Sequence, residues 1–174
     1  MGWVLSTVLS DHCARTEVTM TDEITLQPIG YVRGGRNQPV DDHWQGIEST
    51  IELTDRYLPE SLAGLDEFSH LDIVYFFNRV DPGDVVESAR HPRANPAWPR
   101  VGIFAQRARM RPNRIGVGTC RLMNVEGRCV HVADLDAMDG TPVLDIKPHM
   151  VEMGPRTEVV EPGWATELME HYWA

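Results

Sequence analysis

Four arginines stand two or three residues apart in the stretch GIFAQRARMRPNRIG: Arg107, Arg109, Arg111 and Arg114. A guanidinium presents a planar fork of donors that matches a carboxylate or a phosphate. A cluster of them is chemistry for holding an anion. Pro112 fixes its own backbone and restricts Arg111, and Asn113 suits a turn. The stretch predicts a rigid corner that aims guanidiniums, with a plain solvated turn as the competing reading. Between Arg90 and Arg114 lie seven arginines and no acidic residue, leaving nine basic residues against 26 acidic ones elsewhere. Lysine occurs once, at Lys147. A general preference for arginine over lysine explains the residue type but not the clustering. An anion-binding surface is the better reading, and the negative remainder argues against broad coating of nucleic acid.

A second stretch, DLDAMDGTPVLDIKP, sets Asp134, Asp136 and Asp139 before Gly140-Thr141-Pro142. Carboxylates here could hold polar groups of a ligand or accept a proton; an ordinary Asp-Gly turn with a capping threonine is the alternative. The ligand order of a calcium loop is absent, and Cys13, Cys120 and Cys129 show no metal-type spacing. No metal site is expected. The histidines are scattered, with no HExxH, and Gly-x-Ser-x-Gly does not occur. GVG at Gly116 to Gly118 does not extend to GxGxxG, so a dinucleotide-binding unit is not supported.

The elements that must carry these residues read as strands. Candidates are Ile24 to Arg33, Ser49 to Leu53, Leu71 to Phe77, Val101 to Ala105, Ile115 to Val125 and Arg128 to Asp134, with a further extended piece from Pro142 to Pro148. Gly127 supplies the permissive turn of a hairpin. Two helical pieces are expected, Leu58 to Leu65 and the tail EPGWATELMEHYW, in which Trp164, Leu168 and Tyr172 recur at intervals of four. That stripe reads as a docking face more readily than as a cofactor box. Two long loops, Gly34 to Gly46 and Val80 to Pro99, join the strands. The second carries Pro82, Pro92, Pro96 and Pro99.

The chain of 174 residues and net charge -10 thus reads as mainly β: a small single-sheet antiparallel β-barrel with short helices, including a C-terminal helix. Residues 1–22 are expected as a disordered leader or a misassigned start, and 23–174 as one domain. No apolar run approaches the roughly 20 residues that span a bilayer. Cys120 and Cys129 fall in strand-like sequence and are expected as buried reduced thiols, which fits the cytoplasm.

Three segments in order carry a family pattern. GIFAQRARMRPNRIG resembles G-[VI]-F-A-x-R-[SA]-x-x-R-P-N-x-I-G. LDAMDGTPVLDIKP and LAGLDEFSHLDIVYFF resemble two further motifs, and PIGYVR fits the family's opening strand. The chain is similar to the TsaA-like (TrmO-type) family of S-adenosylmethionine-dependent tRNA methyltransferases, which act on N6-threonylcarbamoyladenosine beside the anticodon. The resemblance spans about Ile24 to Pro148. It implies a small β-barrel, S-adenosylmethionine as cofactor, tRNA as partner, and a homodimer with the site near the subunit interface.

Carried over by position, the resemblance implies a cofactor site made of Gln45, Asn78, Arg79, Arg107, Val117, Leu135, Asp136, Asp139, Gly140 and Thr141. Arg109, Arg111 and Arg114 remain as candidates for RNA contacts, subunit salt bridges or plain solvation. No general base is evident; Asp139 is a candidate on chemistry alone. One place departs from the pattern. Where the family has Pro-Arg-Gln in the first long loop, this chain has His43-Trp44-Gln45. The other reading that stays open is a barrel that binds S-adenosylmethionine but serves a different substrate, or none.

Overall fold

The computed structural model describes residues 23–174; the expected leader and Cys13 lie outside the described residues. Eight strands form: β1 Gly30–Gly34, β2 Glu48–Leu53, β3 His70–Phe76, β4 Ala89–Arg90, β5 Val101–Gly102, β6 Ile115–Glu126, β7 Cys129–Ala133 and β8 Pro142–Pro148. Six of them close a barrel in the order β1-β2-β7-β6-β3-β8, every neighbouring pair antiparallel. The mainly β antiparallel barrel expected from the sequence is the fold observed.

The barrel closes because alternate residues turn inward, where side chains fill a small interior. On β3 the inward set is Leu71, Ile73 and Tyr75; on β2 it includes Ile51 and Leu53; on β7 it includes Val130 and Val132. Val32, Cys120, Leu135 and Val143 complete this core. Each fully buried aliphatic side chain contributes about 1.5–3 kcal/mol. The twelve-residue β6 is long enough to serve two neighbours, with β3 along its first half and β7 along its second. The register slips between Leu122 and Asn124 on β6 and beside Val74 and Tyr75 on β3. Such bulges bend a strand and help a short sheet curl shut.

Several expected elements come out shorter. The strand read from Ile24 begins only at Gly30; Pro28 lacks the donor a paired strand needs there. The strand read from Val101 to Ala105 is only Val101–Gly102, and it pairs with Ala89–Arg90 in a ribbon outside the barrel. Ile103–Ala105 is a 3₁₀ turn. Its cause is local: the buried Gln106 amide donates to the carbonyls of Arg90 at 3.2 Å and Val101 at 3.0 Å, which folds the chain back on itself. The helix read from Leu58 is two 3₁₀ turns, Pro59–Leu62 and Leu65–Glu67, broken at Gly64. The tail helix α1 spans only Gly163–Met169, so Tyr172 lies beyond it.

Candidate functional site

Two loops meet at one end of the barrel: the 34–46 loop that follows β1, and the 134–141 loop that precedes β8. Backbone bonds tie them. Asp139 N–H donates to the Arg36 carbonyl at 2.9 Å and Gly140 N–H to the Val32 carbonyl at 2.8 Å. Gly34 N–H donates to Asp139 Oδ1 at 2.9 Å, and Gly46 N–H to Asp134 Oδ1 at 2.6 Å. Gly140 sits at φ 79, a left-handed geometry that glycine adopts without strain.

Just past β3, Arg79 reaches into this junction. Its Nη1 donates to the Asn37 carbonyl at 2.9 Å and its Nη2 to the Asp139 carbonyl at 2.6 Å. Asn78 Nδ2 donates to the Gly140 carbonyl at 3.3 Å. Thr141 is buried, and its carbonyl accepts from Val32 N–H at 2.9 Å. Asn78, Arg79, Asp139, Gly140 and Thr141 therefore form one group whose bonds shape the two loops.

A second group lies beside it. Arg107 Nη2 donates to the Val117 carbonyl on β6. Val117 itself points away from the core and is 48% exposed. Leu135 is buried and Asp136 is half-buried. Asp136 Oδ2 accepts a hydrogen bond from the hydroxyl of Tyr172. Burial pushes the Asp136 carboxyl up to about 6 and Asp41 pushes the same way, against the Tyr172 hydrogen bond and the Arg107 and Arg109 charges, which favour its ionised form. Burial and the Asp136 charge together raise the Tyr75 hydroxyl above its ordinary range. Gln45 joins this group through its backbone, donating to the Trp173 carbonyl at 3.0 Å.

The remaining arginines of the corner are answered within the chain. Arg109 pairs with Asp41 at 3.1 Å. Arg111 donates to the Gln106 carbonyl at 3.3 Å. Arg114 donates to the Val80 carbonyl at 2.8 Å, with its guanidinium 4.6 Å from the centre of the Phe76 ring. Nearby, Arg93 grips both carboxylate oxygens of Asp42 at 2.6 and 2.9 Å. The turn itself is as the proline and asparagine predict: Arg114 N–H returns to the Arg111 carbonyl at 2.9 Å.

Sequence reasoning missed Tyr75 and Tyr172. Tyr75 falls within the strand expected from Leu71 to Phe77, and nothing in the sequence singles it out. Tyr172 carried a signal, the four-residue stripe of the tail, but that periodicity points to a helix face and not to a carboxylate. Among the described residues no cluster of histidine, cysteine and carboxylates could hold a metal ion.

This barrel, with its corner of arginines over β6 and its acidic loop before β8, matches the family model described as tRNA-methyltransferase O N-terminal domain over residues 36–154. The chain belongs to that family. Among its relatives, a protein of Pyrococcus abyssi named as a probable S-adenosyl-L-methionine-binding protein is 37% identical over 147 residues, covering 81% of this chain and 76% of that protein. The human tRNA (adenine(37)-N6)-methyltransferase is 38% identical over 82% of this chain, but this chain covers only 34% of the human protein. The crystal structure of TrmO from Pseudomonas aeruginosa superposes with a TM-score of 0.67 at 29% identity, over 83% of this chain and 63% of that one. This chain thus spans about a third of the human protein and less than two thirds of the Pseudomonas one.

Proposed function

We propose that this chain is an S-adenosylmethionine-dependent methyltransferase that modifies N6 of threonylcarbamoyladenosine next to the anticodon of tRNA. Family membership and the named activity of the human relative support the reaction class. The observation that carries the site is Asp136, a half-buried carboxylate next to the arginine that the family motif marks, Arg107. Keeping a carboxylate out of water is costly unless a ligand or partner uses it.

The donor set fits the cofactor. Its ribose hydroxyls and adenine amine need acceptors, which the Asp136 carboxylate offers. Its methionine carboxylate needs a cation, and Arg107 keeps guanidinium N–H groups beyond the one on Val117. Val117 presents apolar surface to an adenosyl group. Gln45, Leu135 and Thr141 complete the proposed wall. Arg79, Asn78, Asp139 and Gly140 hold the two loops in register. Bound there, S-adenosylmethionine supplies an electrophilic methyl group on a sulfonium. The protein's own task is to orient and to manage one proton, because the accepting nitrogen loses one. Asp136 and Asp139 are the carboxylates available. Asp139 Oδ1 already accepts from Gly34, so its Oδ2 is the atom left for that role.

We place Arg109, Arg111 and Arg114 at the rim that meets RNA phosphates, with their internal bonds setting their direction. A homodimer is part of the same reading, supported by Phe104, an apolar side chain 76% exposed three residues before Arg107. A cytoplasmic location belongs to the same reading, supported by the free thiols of Cys120 and Cys129 among the described residues. No described helix is long and apolar enough to cross a membrane. A second reading keeps cofactor binding without this tRNA substrate. It is favoured by His43-Trp44 in the first loop, where Trp44 is buried under the Arg36 guanidinium at 4.7 Å.

Calorimetric titration with S-adenosylmethionine, followed by transfer of labelled methyl to tRNA with and without the threonylcarbamoyl group, tests the proposal. Binding with transfer only to the modified tRNA is expected. Binding without transfer to either would leave the second reading, and no binding would remove both.

A further inference from the structure

The segment from His171 to Trp173 runs beside the 43–45 loop. His43 N–H donates to the His171 carbonyl at 3.0 Å, Trp44 N–H to the Tyr172 carbonyl at 2.9 Å, and Gln45 N–H to the Trp173 carbonyl at 3.0 Å. Three successive N–H groups facing one side make a concavity that attracts anionic oxygen. Here the tail's carbonyls occupy it, so the tail completes the loop that the family pattern assigns to the cofactor.

We propose that Tyr172 is a positioning residue of this site: from a tail that forms one wall, its hydroxyl holds the Asp136 carboxylate in the orientation that binds the cofactor. The proposal rests on reading the site as an S-adenosylmethionine pocket. Tyr172 is fixed on three sides. Its carbonyl is bonded to Trp44, its ring meets the edge of Trp173 at 5.0 Å, and its hydroxyl donates to Asp136 Oδ2. The tail has a second anchor, where Trp98 Nε1 donates to Glu167 on α1 at 2.8 Å. Three backbone bonds, the Tyr172 hydroxyl bond and the Trp98 anchor would all have to break before a ligand could displace this segment, which favours a wall over a plug.

The groups that face Asp136 are Tyr75 from β3, Asp41 from the 34–46 loop, Arg107 and Arg109 from the arginine corner, and Tyr172. Among the described residues, Tyr172 alone of these donates a hydrogen bond to the carboxylate. A donor to the charged form favours that form and fixes which oxygen remains for a ligand. Losing it therefore leaves the carboxylate easier to protonate and free to rotate.

The test pairs ligand binding with a ligand-free measurement. S-adenosylmethionine is titrated into wild type and Tyr172→Phe across the acid range by calorimetry, and the Asp136 carboxyl carbon is titrated by NMR without ligand. Tyr172→Phe is expected to weaken binding about tenfold, to move the acid limb of binding to higher pH, and to raise the Asp136 midpoint. In an Asp136→Asn background the same change should have no further effect. Unchanged affinity with an unmoved Asp136 titration overturns the proposal. Tighter binding in Tyr172→Phe overturns the wall and makes the tail a plug. If wild type itself fails to bind, the cofactor reading falls. The NMR titration, followed on the folded-state resonance of Asp136, still decides separately whether Tyr172 holds the carboxylate.

Discussion

The ring of Tyr75 lies against the backbone of Gly116: a Cβ built at position 116 would stand 2.6 Å from Tyr75 Cζ and 2.9 Å from Phe77 Cζ. Gly116 is the last residue of the arginine corner, so the motif's closing glycine is the space in which a β3 aromatic sits. Tyr75 in turn packs edge-on to Phe77 at 5.3 Å. Gly116→Ala is expected to destabilise the fold by about 2 kcal/mol through overpacking. Urea unfolding reads this directly, and an unchanged midpoint would mean that Tyr75 can move aside freely.

Asp136 makes stability depend on pH in an unusual direction. Its native carboxyl is raised to about 6 by burial, above the ordinary aspartate value of about 3.9. Between those values the folded state binds the proton more readily than the unfolded chain. This group therefore costs nothing below pH 4 and destabilises progressively as pH rises towards 6. Asp136→Asn is expected to gain on the order of 1–2 kcal/mol over wild type at pH 7 and little at pH 4. Equal differences at the two pH values would show that burial of this charge is not the cause.

Arg107 is expected to carry affinity. Arg107→Ala should weaken S-adenosylmethionine binding at least about tenfold while leaving the melting temperature nearly unchanged, since among the described residues its one hydrogen bond is to the Val117 carbonyl. Wild-type affinity in the variant would take this arginine out of the site.

Arg79 spans two carbonyls on two loops, those of Asn37 and Asp139. A lysine ammonium carries charge but lacks the fork. Arg79→Lys should loosen the 34–46 loop, seen as faster amide exchange there with the β3 and β6 amides unaffected. Unaltered exchange in the loop would refute the bridge.

The sequence made the barrel strands legible where inward residues alternate, as on β3 with Leu71, Ile73 and Tyr75. It overcalled Val101 to Ala105, because an apolar run does not reveal that Gln106 will fold back onto Arg90 and Val101. The arginine corner was legible as a rigid turn, but its partners were not. Asp41 and the carbonyls of Val80, Gln106 and Val117 are far away in sequence or belong to the backbone, which carries no letter. Asp136 and Asp139 look alike in DLDAMDG. Only the fold separates them, placing one beside Tyr75 and Tyr172 and the other on Gly34. The expected roles of Gln45 and Thr141 rest on the family pattern; locally both are held through backbone bonds that any side chain would permit.

The closure of the barrel has its own consequence. β1 pairs with β2 from Gly30 to Gly34, but with β8 only at Gly30 and Tyr31, opposite Val143 and a proline that has no N–H to give. This seam is the thinnest join in the sheet, and both loops of the site grow from it: one continues β1, the other leads into β8. Beyond those two pairs the join is carried by bonds that reach into the loop itself, Val32 N–H to the Thr141 carbonyl and Gly140 N–H to the Val32 carbonyl. Closing the cylinder and shaping the mouth between the loops are therefore one set of bonds, and a change that weakens one weakens the other.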